Sequence, residues 1–338
     1  MLNYLLAATL TTAAVLQGSR GETLRSVSAL PAHVAGTFEE IAACHLTPQR
    51  DYIIFDRRSH AVSRVAGDAT AAVKELVLIG IEPGRILLPI AFDSAPDGTF
   101  VVADAPGGVE RIQIFLDSGS RMGGFSLPRR AAPRVTLGNM VLNGVGSVNY
   151  TGTSILLSDP ESGALISEYG LDGSVVRTFG GLRATGHEQD RDLHLALNSG
   201  YSLSINGGGF YFVFVAGVPM FRKYNAAGEM LYERHIEGPE IDQHLRSLPS
   251  VWPKRKTASG EYPIVTTAIR TAAVDERGSL WISLLAPLTY VYDSSGEKER
   301  TIEFRGSGLL SPNHFFFTAD GRLIVSPGCY AFNVKQRQ

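Results

Sequence analysis

The chain has 338 residues with a formal net charge of −2, and 44% of its residues are hydrophobic and 19% charged. This composition is globular and argues against intrinsic disorder, and the length allows a large buried core. A charge so close to zero gives no basic field for nucleic acid, so we expect no nucleic-acid partner. The 36 Gly and 17 Pro residues are spread along the chain and indicate many turns between short strands.

The first 21 residues contain an apolar run from Leu5 to Leu16. The run resembles the hydrophobic region of a signal peptide and is too short for a comfortable transmembrane helix. No Lys or Arg precedes Arg20, and no clear cleavage site of small residues follows the run. Residues 1–21 are therefore either an export signal or an ordinary N-terminal apolar segment, and we expect export to the periplasm or the extracellular space. No other stretch approaches the length of a membrane span.

The chain has two cysteines, Cys44 and Cys329, which are too few for a disulfide framework. One bridge would form in an oxidising compartment. Buried free thiols are the favoured expectation, because an unpaired Cys behaves as a small apolar side chain in a core.

Two kinds of turn signal recur along the rest of the chain. In the first, Gly precedes a strand-like run, as in PDGTFVVAD, and in the second an aromatic residue is followed by Asp or Asn and then Gly, as in FLDSGS. Asp and Asn hydrogen-bond to the turn backbone and Gly accepts a positive φ, so each signal predicts a hairpin. The first kind contains Gly98, Gly152, Gly209, Gly278 and Gly321, and the second contains Gly119, Gly173, Gly228 and Gly296.

Turns of the two kinds alternate along the chain. The glycines of the first kind are separated by 54, 57, 69 and 43 residues. Each unit therefore contains four short strands, and a four-stranded repeat of about 40–55 residues is typical of a β-propeller. We predict one all-β domain over residues 22–338, a six-bladed β-propeller of four-stranded antiparallel blades. The six second strands are predicted at 52–56, 99–104, 153–159, 210–216, 279–285 and 322–326.

The last unit has three strand-like runs and then the chain ends at Gln338. At the other end, the strand-like run from Glu22 to Leu30 belongs to no complete unit. An unpaired blade edge exposes hydrogen-bond donors and acceptors. We therefore predict that an N-terminal strand near residues 23–30 completes the last blade and closes the ring.

The second unit, DGTFVVADAPGGVERIQIFLDSGSRMGGF, resembles an NHL repeat, and YIIFDRRSHAVSRV is a looser match with Asp56 in the Asp position. The matched signature residues of the second unit are Gly98, Asp104, Arg111, Ile112, Phe115, Asp117 and Gly119. Because Asp104 and Arg111 occupy signature positions, we interpret them as a structural tie within the blade and not as a catalytic pair. The resemblance implies a six-bladed propeller.

The resemblance to NHL-type propellers leaves the function open. Some such propellers bind proteins, some bind RNA, and one branch is a zinc-dependent lyase with histidines around the central channel. Related six-bladed folds include lactonases with a metal in the channel. The fold alone does not choose among these functions.

Aligning the first strands on their turn glycines places several residues at one mouth of the channel. Besides Pro89 and Gly144, the ring contains the candidate ligand-binding residues, which are Glu40, Tyr201, Arg270, Asn313 and the adjacent His314. Arg270 with Asn313 and His314 would bind a small anion or a carboxylate, because Arg donates two parallel hydrogen bonds. The alternative is a polar ring that fills a watery channel without a specific ligand.

The eight histidines do not recur at one blade position, so no metal site and no cofactor are predicted. His45 falls late in its first strand and His60 in a blade loop, and we interpret both as surface or hydrogen-bonded histidines. A lactonase-like site needs a carboxylate and amides in the channel, for which Glu40, Asn313 and Asn198 are candidates. A divalent metal is expected only if the protein is such an enzyme.

The longest insertion, residues 237–266, lies between the fourth and fifth units. Within it, PEIDQHLRSL predicts a short helix with Pro in its first turn. A long loop on a regular scaffold often carries function, so we identify Trp252, Lys254 and Arg255 as candidates for partner binding, with Trp252 as the anchor. The alternative is a solvated crossover whose Trp packs onto a blade.

These observations favour a monomeric, non-enzymatic binding scaffold that recognises a protein or a small polar ligand at one mouth of the channel. The alternative is a metal-assisted hydrolase or lyase, lactonase-like or NHL-lyase-like, with its site near Arg270, Asn313, His314 and Glu40. The sequence contains no nucleophile elbow and no phosphate-binding glycine loop.

Overall fold

The computed structural model describes residues 21–67, 73–127, 134–137, 140–143, 146–257 and 260–334. Within these residues, six sheets follow one another along the chain, and their successive strands pair antiparallel. The first strands of neighbouring sheets contact one another, and the first strand of the sixth sheet contacts that of the first. The sheets are therefore the blades of a closed six-bladed β-propeller, as predicted. The apolar run at the start of the chain lies outside the described residues.

Blades one to five contain four strands each, and three strands are described for blade six. Their bounds are Ile41–Leu46, Tyr52–Asp56, Ala61–Val65 and Lys74–Val77 in blade one; Pro89–Ser94, Phe100–Asp104, Arg111–Phe115 and Arg121–Ser126 in blade two; Val148–Tyr150, Ser154–Ser158, Ala164–Gly170 and Val175–Gly181 in blade three; Gly200–Ser204, Phe210–Phe214, Met220–Tyr224 and Met230–His235 in blade four; Ile269–Val274, Leu280–Leu284, Thr289–Tyr292 and Lys298–Arg305 in blade five; and His314–Phe317, Arg322–Ser326 and Tyr330–Asn333 in blade six. The predicted second strands agree with these bounds to within two residues.

The other elements lie between or beside the blades. They are the helices Ala32–Ala35, Arg191–Leu197 and Pro239–Ser247, the 3₁₀ turns Pro106–Gly108 and Pro160–Ser162, the hairpins Arg134–Leu137 with Met140–Asn143 and Lys254–Thr257 with Gly260–Pro263, and the strands Glu22–Arg25 and Leu309–Leu310. The helix Pro239–Ser247 confirms the helix predicted in the long insertion. Among the described helices, none is both long and apolar enough to cross a lipid bilayer.

The hydrophobic core lies between neighbouring blades. In the second strand of blade two, Phe100, Val101 and Val102 are fully buried, because both faces of this strand are covered. Between blades one and two, the ring of Phe92 packs against Phe55 with centroids 5.2 Å apart and against Phe100 at 5.7 Å. A blade thus buries its apolar faces only against its neighbours, and its stability depends on the closed ring.

The N-terminal segment joins two blades at the point of ring closure. The backbone N–H of Val27 donates to the carbonyl oxygen of Ala331 at 2.8 Å, and Ser28 forms an antiparallel bridge with Ala331. This pairing confirms that the N-terminal segment joins the last blade. The preceding strand, Glu22–Arg25, was expected to be part of that pairing, but it lies parallel to Lys298–Arg305 of blade five.

Cys44 and Cys329 form a disulfide bond, so the expectation of free thiols is wrong. Cys44 lies on the first strand of blade one, and Cys329 lies between the second and third strands of blade six. Their Cα atoms are 5.6 Å apart although 285 residues separate them along the chain. Ring closure brings the two side chains together in a buried cluster, and the bond links the first blade to the last covalently.

We expect the double variant Cys44→Ala/Cys329→Ala to unfold with a free energy about 2–5 kcal/mol lower than the wild type, because a bridge across a long loop restricts the unfolded chain. Urea unfolding of the variant and of the oxidised wild type measures the difference. The reduced wild type serves as the control and should resemble the variant. Equal stability of the oxidised and reduced proteins would contradict this role of the bond.

Asp104 and Arg111 form the predicted structural tie in blade two. Arg111 donates from Nε to Asp104 Oδ1 at 2.7 Å and from Nη2 to Oδ2 at 2.8 Å, and the Asp104 side chain is fully buried. Asp104 also accepts the backbone N–H of Leu87, while Arg111 donates to the carbonyl oxygens of Ile81 and Arg85. The pair therefore fastens the segment that enters blade two.

Arg111→Met should lower the free energy of unfolding by about 3 kcal/mol, because Asp104 would be left buried without its cation. The double variant Asp104→Asn/Arg111→Met should regain part of this loss, since it removes both charges. Chemical unfolding measures both values, and the exposed Arg121→Met in the same blade is the matched control. A loss no larger than that of the control would show that the pair is not a structural tie.

Candidate functional site

The central channel contains a cavity of about 1070 Å³ that is lined mainly by the first strands of the blades. All five residues that the sequence identified as candidates for ligand binding line this cavity, namely Glu40, Tyr201, Arg270, Asn313 and His314. Of the other two ring positions, Pro89 is not one of the residues that line the cavity, and Gly144 lies outside the described residues. The structure thus brings together side chains from blades one, four, five and six.

Glu40 is held in place by a cation and by backbone hydrogen bonds. Its carboxylate forms an ion pair with Arg57, and its backbone N–H donates to Asp56 Oδ1 at 3.1 Å. Asp56 also accepts the backbone N–H of Glu39 at 2.7 Å. Because Arg57 neutralises Glu40, this carboxylate adds little net negative charge to the cavity.

Arg270 retains unused donor capacity at the cavity wall. Its Nη2 lies 3.4 Å from the carbonyl oxygen of Leu285, and its buried Nε has no hydrogen-bond partner among the described residues. Tyr201 donates its hydroxyl hydrogen to the carbonyl oxygen of Arg270 at 2.5 Å and so fixes the backbone of that residue. Burial raises the pKa of Tyr201 to about 12, so the phenol stays protonated at neutral pH. An unpaired buried guanidinium donor is suited to an anionic ligand.

His45 and His314 meet inside the channel. His45 is 1% exposed, and its ring stacks on Phe316 with centroids 4.2 Å apart and meets the edge of Phe92 at 5.0 Å. Its Nδ1 is hydrogen-bonded to Ser94 Oγ, and its Nε2 lies 3.5 Å from His314 Nε2. His45 is therefore hydrogen-bonded, as expected, but its contact with His314 was not predicted.

Asp93 lies beside this histidine pair. Its Oδ2 accepts the backbone N–H of Tyr150 at 2.7 Å and the side-chain amide of Asn149 at 2.9 Å, and its Oδ1 accepts the backbone N–H of Ser94. One ring nitrogen of each histidine and one carboxylate oxygen of Asp93 all lie within 4.8 Å of one another. Within the described part of the chain, these are the His, Cys, Asp and Glu side chains that converge as metal ligands would.

Burial sets the protonation of this cluster. It raises the pKa of Asp93 to about 6, against the opposing effect of its three hydrogen bonds. It also lowers the pKa of His314 to about 4, and burial together with the nearby His314 lowers the pKa of His45 well below its usual range. At neutral pH both imidazoles are therefore uncharged, each with one unprotonated ring nitrogen, while Asp93 is mostly ionised.

Sequence reasoning missed Asp93 because it looked for one equivalent position in every blade. His45 and Asp93 lie late in their first strands, whereas His314 is the first residue of its strand. The sequence signal that could have identified Asp93 is the alternation of side chains along the first strands, because residues two apart lie on the same side of a strand. Polar side chains late in these strands, such as His45, Asp93 and Asn149, would have been found in this way.

The long insertion packs against the propeller through Trp252. Trp252 is 8% exposed and lies in an apolar cluster with Leu193 and Val265, and its Nε1 donates to His187 Nε2 at 3.2 Å. The burial of Trp252 agrees with the alternative in which the Trp packs onto a blade, and partner binding by Trp252 stays a prediction. Lys254 forms an ion pair with Asp190 at 2.7 Å, and partner binding by Lys254 and Arg255 stays a prediction.

Trp252→Ala should lower the free energy of unfolding by about 3–5 kcal/mol, because a large buried aromatic side chain is removed. The neighbouring Val251, which is 82% exposed, supplies the matched control Val251→Ala, for which little change is expected. Urea unfolding of the two variants measures the difference. If both variants lost equally little free energy of unfolding, the result would instead support a Trp252 side chain that is free to contact a partner.

No protein-family model and no curated protein sequence matches this chain. Its fold is similar to that of virginiamycin B lyase from Staphylococcus aureus, with a TM-score of 0.51 and 12% identity over 84% of this chain and 76% of the lyase. It is also similar to Sqt1 from Saccharomyces cerevisiae, with a TM-score of 0.50 and 11% identity over 87% of this chain and 84% of Sqt1. At such low identity the likeness shows the fold alone.

Proposed function

We propose that this protein is a binding protein whose central cavity takes a small polar ligand, specifically a carboxylate or another small anion. The observation that carries this proposal is the buried Nε of Arg270, which faces no hydrogen-bond acceptor among the described residues. Burying a cationic donor without a partner costs free energy. Arg270 lines the cavity, so an anion there would pair with its guanidinium group and recover part of that cost.

The surroundings of Arg270 support an anionic ligand. Glu40, the acidic residue among the five predicted ligand-binding residues, is already paired with Arg57, and no ion pair of Arg270 is found among the described residues. Asn313 is exposed in the same cavity and carries both a donor and an acceptor. The cavity volume of about 1070 Å³ is ample for a small metabolite and its water.

The cellular setting belongs to the same proposal. The disulfide between Cys44 and Cys329 supports an oxidising compartment, because such bonds are rare in the cytosol. Together with the signal-like N-terminus, it supports a protein that acts in the periplasm or outside the cell. The NHL-like signature of blade two supports membership of that propeller group, in which binding functions are common.

A second candidate function is a metal-assisted hydrolase or lyase acting in the same cavity. One observation favours it, namely the convergence of His45, Asp93 and His314. Two neutral imidazoles and a carboxylate are groups that hold a catalytic metal or transfer protons. The first candidate is preferred because it requires no group beyond the side chains already described.

The first candidate is tested by calorimetric titration of the full chain with a panel of small mono- and dicarboxylates and with inorganic phosphate. We expect one of them to bind with one-to-one stoichiometry, and Arg270→Gln to weaken that binding at least tenfold, since a charged hydrogen bond is lost. Arg246→Gln, on the exposed side of helix Pro239–Ser247, is the matched control and should bind as the wild type does. Unchanged binding by Arg270→Gln, or no binding by any anion in the panel, would contradict the proposal.

A further inference from the structure

We propose that His45, His314 and Asp93 form a binding site for one divalent transition-metal ion of the zinc type. This inference deepens the second candidate function, on whose residues it rests, but metal binding is measured without any assumption about turnover. The three side chains come from the first strands of blades one, six and two. The sequence predicted no metal site, because these strands meet only when the ring closes.

The spacing of the two imidazoles fits a shared ion. A tetrahedral ion that holds two nitrogens at about 2.0–2.1 Å separates them by about 3.4 Å. The Nε2 atoms of His45 and His314 lie 3.5 Å apart, so the pair needs almost no movement to bind. A direct hydrogen bond between these two atoms is the competing explanation of the distance, and the experiment below separates the two.

The ring of His45 is fixed in a ligating orientation. Its Nδ1 is hydrogen-bonded to Ser94 Oγ, which leaves Nε2 to face His314. Phe316 stacks on one face of the ring, with an interplanar angle of 19°, and the edge contact with Phe92 limits its rotation further. Metal-binding histidines are usually oriented by such a hydrogen bond from the second ring nitrogen.

Asp93 supplies a negative charge that the cluster does not otherwise balance. Its hydrogen-bond donors, the backbone N–H groups of Ser94 and Tyr150 and the amide of Asn149, are all neutral. Asp93 is half-buried, and a partly desolvated carboxylate without a cation is costly. A divalent ion at the histidine pair would provide that cation. Asp93 has to approach on binding, since the three donor atoms lie within 4.8 Å of one another and not all at ligand spacing.

Asn149 couples this site to the wall of the channel. It donates to Asp93, while its Oδ1 accepts from the backbone N–H and the hydroxyl of Ser204 in blade four, at 2.9 and 2.8 Å. These bonds hold the carboxylate from behind, as the outer partners of metal-binding carboxylates do. Asn149 is therefore a positioning residue and not itself a ligand in this proposal.

The donor set favours zinc and related ions over calcium or magnesium. Calcium and magnesium prefer oxygen ligands, whereas two imidazoles and one carboxylate suit zinc, cobalt, nickel or ferrous iron. Three protein ligands leave at least one coordination position free. Asp93 and His314 are among the residues that line the central cavity, so that position would be open to water or to a small ligand.

The experiment is a titration of the full chain, freed of metal by a chelator, with Co²⁺ followed by visible absorption and with Zn²⁺ followed by calorimetry. We expect one equivalent to bind, with the intense ligand-field bands of a four- or five-coordinate cobalt site. Asp93→Asn and His314→Gln should each weaken binding at least tenfold. His235→Gln is the matched control, because His235 lies exposed on the outer strand of blade four and should leave binding unchanged.

The inference is overturned if neither ion binds at one equivalent, or if Asp93→Asn and His314→Gln both bind as the wild type does. Asp93→Asn keeps the size of the side chain, and circular dichroism establishes that each variant is folded before titration. Arg270→Gln separates this inference from the proposed anion site. This variant should bind cobalt as the wild type does even if it no longer binds the anion. If it also loses cobalt binding, the conclusion that the two sites are independent is wrong.

Discussion

The closure of the ring is the constraint on which this molecule depends. Each blade buries its apolar faces only against its neighbours, so an open ring would leave the faces of blades one and six exposed to water. Closure is secured in two ways. The N-terminal segment bridges blades five and six through Glu22–Arg25 and Ser28, and the bond between Cys44 and Cys329 links blade one to blade six.

The same closure creates the candidate site. His45 and His314 are 269 residues apart in the chain, yet they touch, because the first and last blades are neighbours. Glu40, Tyr201 and Arg270 reach the same cavity from blades one, four and five. The buried Arg270 donor and the neutral histidine pair with its carboxylate are two chemically different places in one channel. An anion suits the first and a cation suits the second.

The architecture could be predicted because it is encoded locally. Gly98 has a φ of 89°, a conformation that favours glycine, and such turn glycines marked the strand ends to within one or two residues. Arg50 occupies the same turn position in blade one with a φ of 68°, although it is not a glycine. The disulfide, the parallel strand in blade five and the contact of His45 with His314 were not predictable in this way. Each depends on where the blades lie relative to one another in the ring, and the turn residues do not indicate this.

The central claim is that the channel, and not the insertion or the outer surface, is the ligand site. A crystal structure of the protein with the small carboxylate that most raises its melting temperature tests this claim most directly. The account predicts ligand density inside the central cavity, with a carboxylate oxygen within hydrogen-bond distance of the Arg270 guanidinium group. Ligand density at the 237–266 insertion or on the outer strands, with only water in the channel, would contradict it.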